Sequence, residues 1–390
     1  MNLNKWPFFD EDMISVTSNI LGSGKVNYWT GHYCKDFENK FAEKFEQKYA
    51  VALMNGSVAL TAAYKAIDLM PEDEVITTPR TFIATTSAMQ LLGAVPVFVD
   101  VCRNSGAILP EQIEKAITKK TKAISVVHIG GWPADMKSIC AIAKKYNLFV
   151  IEDCSQAHGA KIAGKPVGSF GDISTWSFCQ DKIISTAGEG GMITTNSEDL
   201  MDKIWSYKDH GKTRNAVFKK DHPPGFRWVH ERVGTNLRMT EIQAAIGLIQ
   251  LDRLDHWIFL RNRNALILYN YLKDISSIRV PIPANDIKCA WYKFYVFLKP
   301  NSLKQNWDRN KIIKRLEEKK FPVFYGSCSE IYLEKGMKNY KIFGDKKRLQ
   351  NAEECTKTSL MFLVHPTITI EQIHSYGKAI KKILLKATVN

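Results

Sequence analysis

From about residue 49 the chain alternates short apolar runs with segments of helical periodicity. The runs cover residues 50–54, 74–78, 95–100, 122–127 and 148–152. Between them, residues 57–69, 84–92, 110–117 and 136–146 carry apolar positions at helical spacing. Strands that alternate with helices predict a mostly parallel sheet covered on both faces. Phe37, Phe41 and Phe45 recur every four residues and mark the core face of one more helix. Residues 238–257 predict a long helix leading to a smaller C-terminal unit. In that unit 292–298 reads as a strand, and 309–319 and 370–385 as helices. The first 30 residues, with Gly22, Gly24 and Gly31 around Tyr28 and Trp29, read as an arm rather than a sheet element. Residues 211–225 are polar, hold Pro223 and Pro224, and predict a loop. The expected division is an arm over 1–30, a large α/β domain over 31–255 and a small α+β domain over 256–390, with Pro281 and Pro283 near the boundary.

Composition narrows the class. With 390 residues and 45% hydrophobic content the chain can bury a sizeable core. No stretch approaches about 20 continuous apolar residues, which argues against a membrane span. The first residues lack the basic segment and apolar centre of a secretory signal, so a cytoplasmic protein is expected. The eight cysteines form no CxxC pair, which favours reduced thiols over a disulfide framework and leaves no metal site expected. A net charge of +14 raises nucleic-acid binding as a question. The basic residues are scattered, however, without a long Lys/Arg run, and a solvated basic surface is the simpler reading.

Four segments carry candidate chemistry. Asn55, Gly56 and Ser57 follow a predicted strand and open a helix, whose unpaired amides and positive dipole end suit a phosphate. Asp153, in Glu152-Asp153-Cys154-Ser155-Gln156-Ala157-His158-Gly159, sits at a strand's C-terminal end, which faces the ligand crevice of an α/β sheet. A carboxylate there can pair with a pyridine nitrogen and make the ring an electron sink. Taken singly, most such carboxylates are solvated strand-end residues, and a lone His158 is more often a hydrogen-bonded structural histidine. Lys182 follows the apolar Trp176-Ser177-Phe178 and precedes the cluster Gly188-Glu189-Gly190-Gly191. An amine in such a place is a candidate nucleophile. The spacing matches neither a P-loop nor a dinucleotide fingerprint. Gly234-Thr235-Asn236-Leu237-Arg238 presents polar groups before a helix, and a plain capped helix accounts for Thr240 as well.

Together these segments resemble the DegT/DnrJ-type sugar aminotransferases, a branch of the fold-type I pyridoxal 5′-phosphate (PLP) enzymes. The likeness spans most of the chain, in order. It rests above all on SFCQDK…GEGGMITTN, EDCSQAHGA and GTNLRMTEIQAAIG, with further agreement at residues 81–85 and 359–366. The resemblance implies a mostly parallel central sheet flanked by helices and a smaller C-terminal α+β domain. It implies that Lys182 holds PLP as a Schiff base and that Asp153 pairs with the pyridinium nitrogen. Gln156 would lie near the ring oxygen and Phe82 would stack on the ring. Gly56, Ser57 and Ser177 would bind the phosphate, which Asn236 would reach in the neighbouring subunit of a homodimer. His158, Arg238 and Tyr292 would lie toward the substrate.

The implied reaction moves an amino group from L-glutamate to a nucleotide-linked keto sugar, a 4-keto-6-deoxyhexose for O-antigen or other surface polysaccharide. A 3-keto sugar is the alternative within the class, and a non-catalytic PLP-binding regulator the alternative outside it. No DNA-reading module accompanies the chain. Two departures from the family pattern stand out. Five residues, 183–187, separate Lys182 from the glycine cluster where four are common, which puts the loop's shape in question. The aromatic segment reads Trp291-Tyr292-Lys293-Phe294-Tyr295, where a histidine often precedes the first tyrosine. Relatives with histidine in place of the lysine are sugar dehydratases, and Lys182 points away from that chemistry.

Overall fold

A computed structural model describes residues 3–218, 221–344 and 347–389. In chain order the elements are α1 (Glu11–Ser23), α2 (Tyr33–Lys44), β1 (Tyr49–Leu53), α3 (Gly56–Ala66), β2 (Glu74–Thr77), α4 (Ala84–Gln90), β3 (Val95–Phe98), α5 (Pro110–Ala116), β4 (Thr121–Val127), α6 (Met136–Tyr146) and β5 (Phe149–Asp153). Next come β6 (Lys161–Ile162), β7 (Lys165–Pro166), β8 (Ile173–Ser177), β9 (Gly191–Thr195), α7 (Glu198–Lys208), α8 (Arg214–Phe218) and α9 (Glu241–Leu272). The last part holds β10 (Ile278–Arg279), β11 (Ile287–Lys288), β12 (Phe294–Leu298), α10 (Arg309–Glu317), β13 (Lys341–Ile342), α11 (Gln350–Thr358), β14 (Ser359–Phe362) and α12 (Ile370–Ala387).

The central sheet has the order β1-β9-β8-β5-β4-β2-β3-β13. Its pairs are parallel except around β9, which runs antiparallel to both β1 and β8. Each apolar run seen in the sequence is a strand to within two residues at either end. The reason is burial on both faces: β2 and β3 are buried at every position, so neither face needs a polar alternate. The C-terminal ends of β1, β4, β5 and β8 share one edge, and that edge is where a ligand crevice forms.

Local signals set the helices. Asp135 caps α6 by accepting from Ser138 N, and Asn147 ends it in the left-handed region at φ 52°. Phe37, Phe41 and Phe45 pack with Trp176 and Phe178, and all five are fully buried. A Cβ at Gly247 would fall 2.6 Å from the Phe37 ring, so glycine lets α9 close on this cluster.

The small lobe is an antiparallel sheet, β10-β12-β14, covered by α10, α12 and the end of α9. The boundary expected at 255/256 falls inside α9, whose 32 residues run unbroken through it. The tryptophan at 257 is not an end; apolar periodicity carries on through Leu268 and Leu272 into the second core. The segment after Pro281 and Pro283 also returns to the large lobe, where β11 pairs with β6. The arm contains a helix, α1, capped by Asp10 and packed on α9. The 211–225 loop contains the short α8, and its residues 219 and 220 lie outside the described ones. No helix among the described residues is long and apolar enough to cross a membrane.

One buried hub fixes the sheet edge. Glu152, fully buried, accepts from Phe170 N (2.8 Å) and Gly171 N (2.6 Å) on Oε1, and from Gly168 N (2.8 Å) and His128 Nε2 (3.0 Å) on Oε2. His128 Nδ1 accepts from Ala134 N, so Nε2 carries the proton that it donates. Burial pushes the Glu152 pKa up, but His128 and the backbone amides outweigh it and the net shift is downward. A depressed carboxylate stabilises the fold fully above its unfolded pKa, and that contribution is lost as pH falls through the folded value. Glu152→Gln should lower the unfolding free energy at neutral pH by about 3 kcal/mol or more, since an amide NH₂ would face two donors. Urea titrations of both proteins should bring the two curves together as pH drops below 4.5. A gap that stays constant into that range would contradict the account.

Candidate active site

The sheet edge opens into a cavity of about 980 Å³ between the lobes. Asn55 caps α3, its side chain accepting from Val58 N at 3.0 Å. The first-turn amides of α3 have no carbonyl of their own helix to bond, and Gly56 and Ser57 line the cavity. Ser177, the last residue of β8, lies against them. A Cβ at Gly56 would fall 2.6 Å from Ser177 Cβ, and one at Gly191 would fall 2.4 Å from the Asn55 carbonyl oxygen. Only glycine allows this close approach, which makes a backbone cradle fit for a phosphate.

Asp153 ends β5 and is buried. Its Oδ2 accepts from Thr85 Oγ1 at 2.8 Å and its Oδ1 from Ser155 N at 3.2 Å. Thr85 is held in turn by Thr81 at 2.7 Å. Among the described residues Asp153 has no ion-pair partner. A buried carboxylate with two donors and no cation fits a group that brings its own positive charge. Gln156 is also buried, with Oε1 accepting from Gly130 N at 2.8 Å. Phe82 is 62% exposed at the cavity wall, an apolar ring without a core to join. These residues fit PLP: a phosphate cradle, an unpaired buried carboxylate and an open aromatic face share one cavity with a lysine.

That lysine is Lys182, with its side chain 16% exposed. Its backbone is pinned on both sides. The amide donates to Cys179 O at 3.0 Å, and the carbonyl accepts from Trp6 Nε1 at 2.9 Å. Its Nζ lies 3.7 Å from Asp181 Oδ1 and 5.0 Å from the centre of the Tyr292 ring. The five-residue spacer is absorbed by a turn. Ala187 takes φ 59°, Gly188 takes φ 115°, and Thr186 Oγ1 donates to Glu189 O at 2.6 Å. Ile183 and Ile184 anchor the turn in the core.

Tyr292 lines the cavity and donates its hydroxyl to Asp181. Burial, then the Asp181 carboxylate, push the Tyr292 pKa up. His158 does not reach the cavity. It is fully buried behind the site between Trp176 and Phe178, with both ring nitrogens unpaired. Burial, followed by the charges of Lys182 and Arg261, lowers its pKa to about 3 and keeps it neutral. It is therefore a packing residue here and not a substrate contact. Arg238 is also away from the cavity; its Nη1 donates to Asp209 Oδ1 at 2.8 Å. Asn236 is exposed and bridged to Asp209, outside the cavity of its own chain.

Several groups at the site were given no role by the sequence, although Thr85 and Lys293 lie in segments it singled out. Trp6 comes from the arm, Thr85 from α4, and Lys293 from the start of the small lobe. Asp181 sits beside Lys182 in the motif, but its role is visible only once Tyr292 and Lys293 are folded against it.

Known proteins bear the same pattern. Residues 8–381 match the description of the DegT/DnrJ/EryC1/StrS aminotransferase family. A GDP-perosamine synthase of Escherichia coli O157:H7 is 40% identical over 296 residues, 76% of this chain and 77% of that protein. A dTDP-3-amino-3,6-dideoxy-alpha-D-galactopyranose transaminase of Aneurinibacillus thermoaerophilus is 39% identical over 296 residues, 75% of this chain and 76% of that protein. The X-ray structure of an aminotransferase from Psychrobacter cryohalolentis superposes with a TM-score of 0.95 at 46% identity, covering 99% of both chains.

Proposed function

This chain belongs to the DegT/DnrJ/EryC1/StrS aminotransferase family, and from that premise we propose that it moves an amino group from L-glutamate to a nucleotide-linked 4-keto-6-deoxyhexose. It is a PLP-dependent nucleotide-sugar aminotransferase. The sugar class follows the GDP-perosamine synthase, and the product would serve a surface polysaccharide. The observation that carries the reading is the meeting of Lys182, the cation-free Asp153 and the α3 cradle in one cavity. The Aneurinibacillus relative favours one second reading, amination at C3 instead of C4.

When bound, PLP supplies the electron sink that makes the proton on the donor's Cα acidic. The chain's residues do the rest. Gly56 and Ser57 amides and the Ser177 hydroxyl would hold the phosphate. Asp153 would keep the ring nitrogen protonated, and Thr85 and Ser155 N fix that carboxylate in place. Lys182 would be the point of attachment, and its amine would be the group placed to take up the donor's Cα proton and give it back. Trp6 and Cys179 hold its backbone while the side chain swings. Gln156 and Phe82, both at the cavity wall, would hold the ring by a polar contact and an apolar face. Asn236, exposed on its own chain, would complete the phosphate site of a second copy, so the working unit would be a homodimer.

The test is direct. Purified protein with PLP, L-glutamate and a nucleotide-linked 4-keto-6-deoxyhexose should release 2-oxoglutarate and form the amino sugar in equal amounts. A 3-keto isomer accepted in its place would move the site of amination to C3. Failure with every keto sugar tried would remove the reading.

A further inference from the structure

Lys182 shares its carboxylate with a second lysine. Lys293 Nζ lies 3.8 Å from Asp181 Oδ2 and 4.6 Å from the Tyr292 ring centre, inside the same cavity. Its side chain is 12% exposed. At that distance Asp181 is an ion-pair partner without a close hydrogen bond, and the nearly buried ammonium has no other protein acceptor among the described residues. Asp181 meanwhile accepts from the Tyr292 hydroxyl and faces both ammonium groups. Arg261, fully buried, adds a third positive charge behind Tyr292, its Nη1 donating to Trp291 O at 3.2 Å. One carboxylate therefore serves three cations, and the region carries uncompensated positive charge. Burial, only partly offset by Asp181, lowers the Lys293 pKa to about 8, with Arg261 and Lys182 pushing the same way. An added anion would relieve that cost. The backbone is also set for it. Trp291 takes φ 48°, an uncommon value for an aromatic residue, and Gly131 lets the chain pass so close that a Cβ would fall 2.8 Å from Tyr292 N.

We propose that Lys293 is the carboxylate-reading cation of the site, receiving the side-chain carboxylate of a dicarboxylic amino donor. The proposal rests on the aminotransferase reading, and it explains why the donor should be an acidic amino acid. Lys293 stands next to the reacting amine, because both approach the same Asp181 carboxylate. A nucleotide's diphosphate is attached across the sugar ring from a C4 keto group and is held away from that point. A carboxylate near the reacting carbon is the group that reaches it. The sugar could also bring one, at C6 of a uronic-type keto sugar.

The experiment compares holoenzyme with Lys293→Met and Lys293→Arg. Succinate and butyrate, which do not react, are titrated calorimetrically. Wild type should prefer succinate, Lys293→Met should lose about 30-fold or more of that preference, and Lys293→Arg should keep most of it. Each half-reaction is then timed separately, with L-glutamate or L-alanine as donor and with 6-methyl or 6-carboxylate keto sugars as acceptor. A Lys293→Met loss in kcat/KM confined to L-glutamate supports the proposal. A loss confined to the 6-carboxylate sugar overturns the donor assignment and moves the carboxylate to the sugar. Equal losses with all substrates, or an unchanged succinate preference, overturn the role outright and leave Lys293 as a neighbour that merely places Asp181. Should wild type bind succinate through Lys293 yet make no 2-oxoglutarate, the donor reading fails while the assignment of Lys293 stands.

Discussion

Lys182→Ala should reduce glutamate-dependent amination by at least about four orders of magnitude. The variant loses covalent attachment and the proton carrier together, and positioned proton transfer alone contributes about 10²- to 10⁴-fold. Borohydride treatment should fix cofactor to the wild-type chain so that it survives denaturation, and should fix none to the variant. The fold should persist. The Lys182 backbone is held by Trp6 and Cys179 independently of the side chain, and the flanking Ile183 and Ile184 remain in the core. Lys182→Arg should be as inactive as alanine, because charge without a nucleophilic amine does not serve. Turnover near wild type in either variant would refute the assignment.

Asp153→Asn should slow the donor half-reaction by about two to four orders of magnitude, the cost of removing one partner from a buried charge pair being about 3–5 kcal/mol. The change is nearly isosteric. The asparagine carbonyl can still accept from Thr85 Oγ1, while its NH₂ would face Ser155 N, so the charge and one weak hydrogen bond are lost together. The sign of the stability effect is the sharper readout. Without cofactor, Asp153 is a buried carboxylate with no cation, and relief of that charge should largely offset the loss of the Ser155 N bond in the asparagine variant. With cofactor bound, the wild type should gain more thermal stability than the variant. Comparing melting temperatures with and without PLP separates the two states. An equal PLP-induced rise in both proteins would mean that Asp153 does not face the ring nitrogen.

The large domain was legible because its strands are buried on both faces. Continuous apolar runs such as residues 122–127 have few other uses, and the helices between them carry caps and a 3.6-residue period. Asp153, Gly56 and Lys182 were legible for a related reason. Each lies where a strand ends, and in an open α/β sheet those ends converge. What escaped was set by distance along the chain. Tyr292 and Asp181 are 111 residues apart in sequence, and nothing local in Lys293 tells that it turns into the same cavity. His158 misled in the opposite way. It follows Asp153 closely in a motif, but the turn through Ser155 and Ala157 points it into the aromatic cluster. The helix in the arm did leave a trace, Asp10 followed by Glu11 and Asp12, which is the charge pattern of a helix start.

The uninterrupted α9 has a mechanical consequence. At about 1.5 Å per residue it is a rod of roughly 48 Å, sunk in the large core at Leu251 and Leu254 and in the small core at Leu268 and Leu272. Domain closure of the hinge kind needs a few residues able to absorb a large backbone rotation, and across this junction α9 offers none. The lobes are splinted. Traffic through the crevice is then a matter for its rim, where Phe82 and Phe324 stand exposed, and changes that speed or slow product escape belong there and not in the frame.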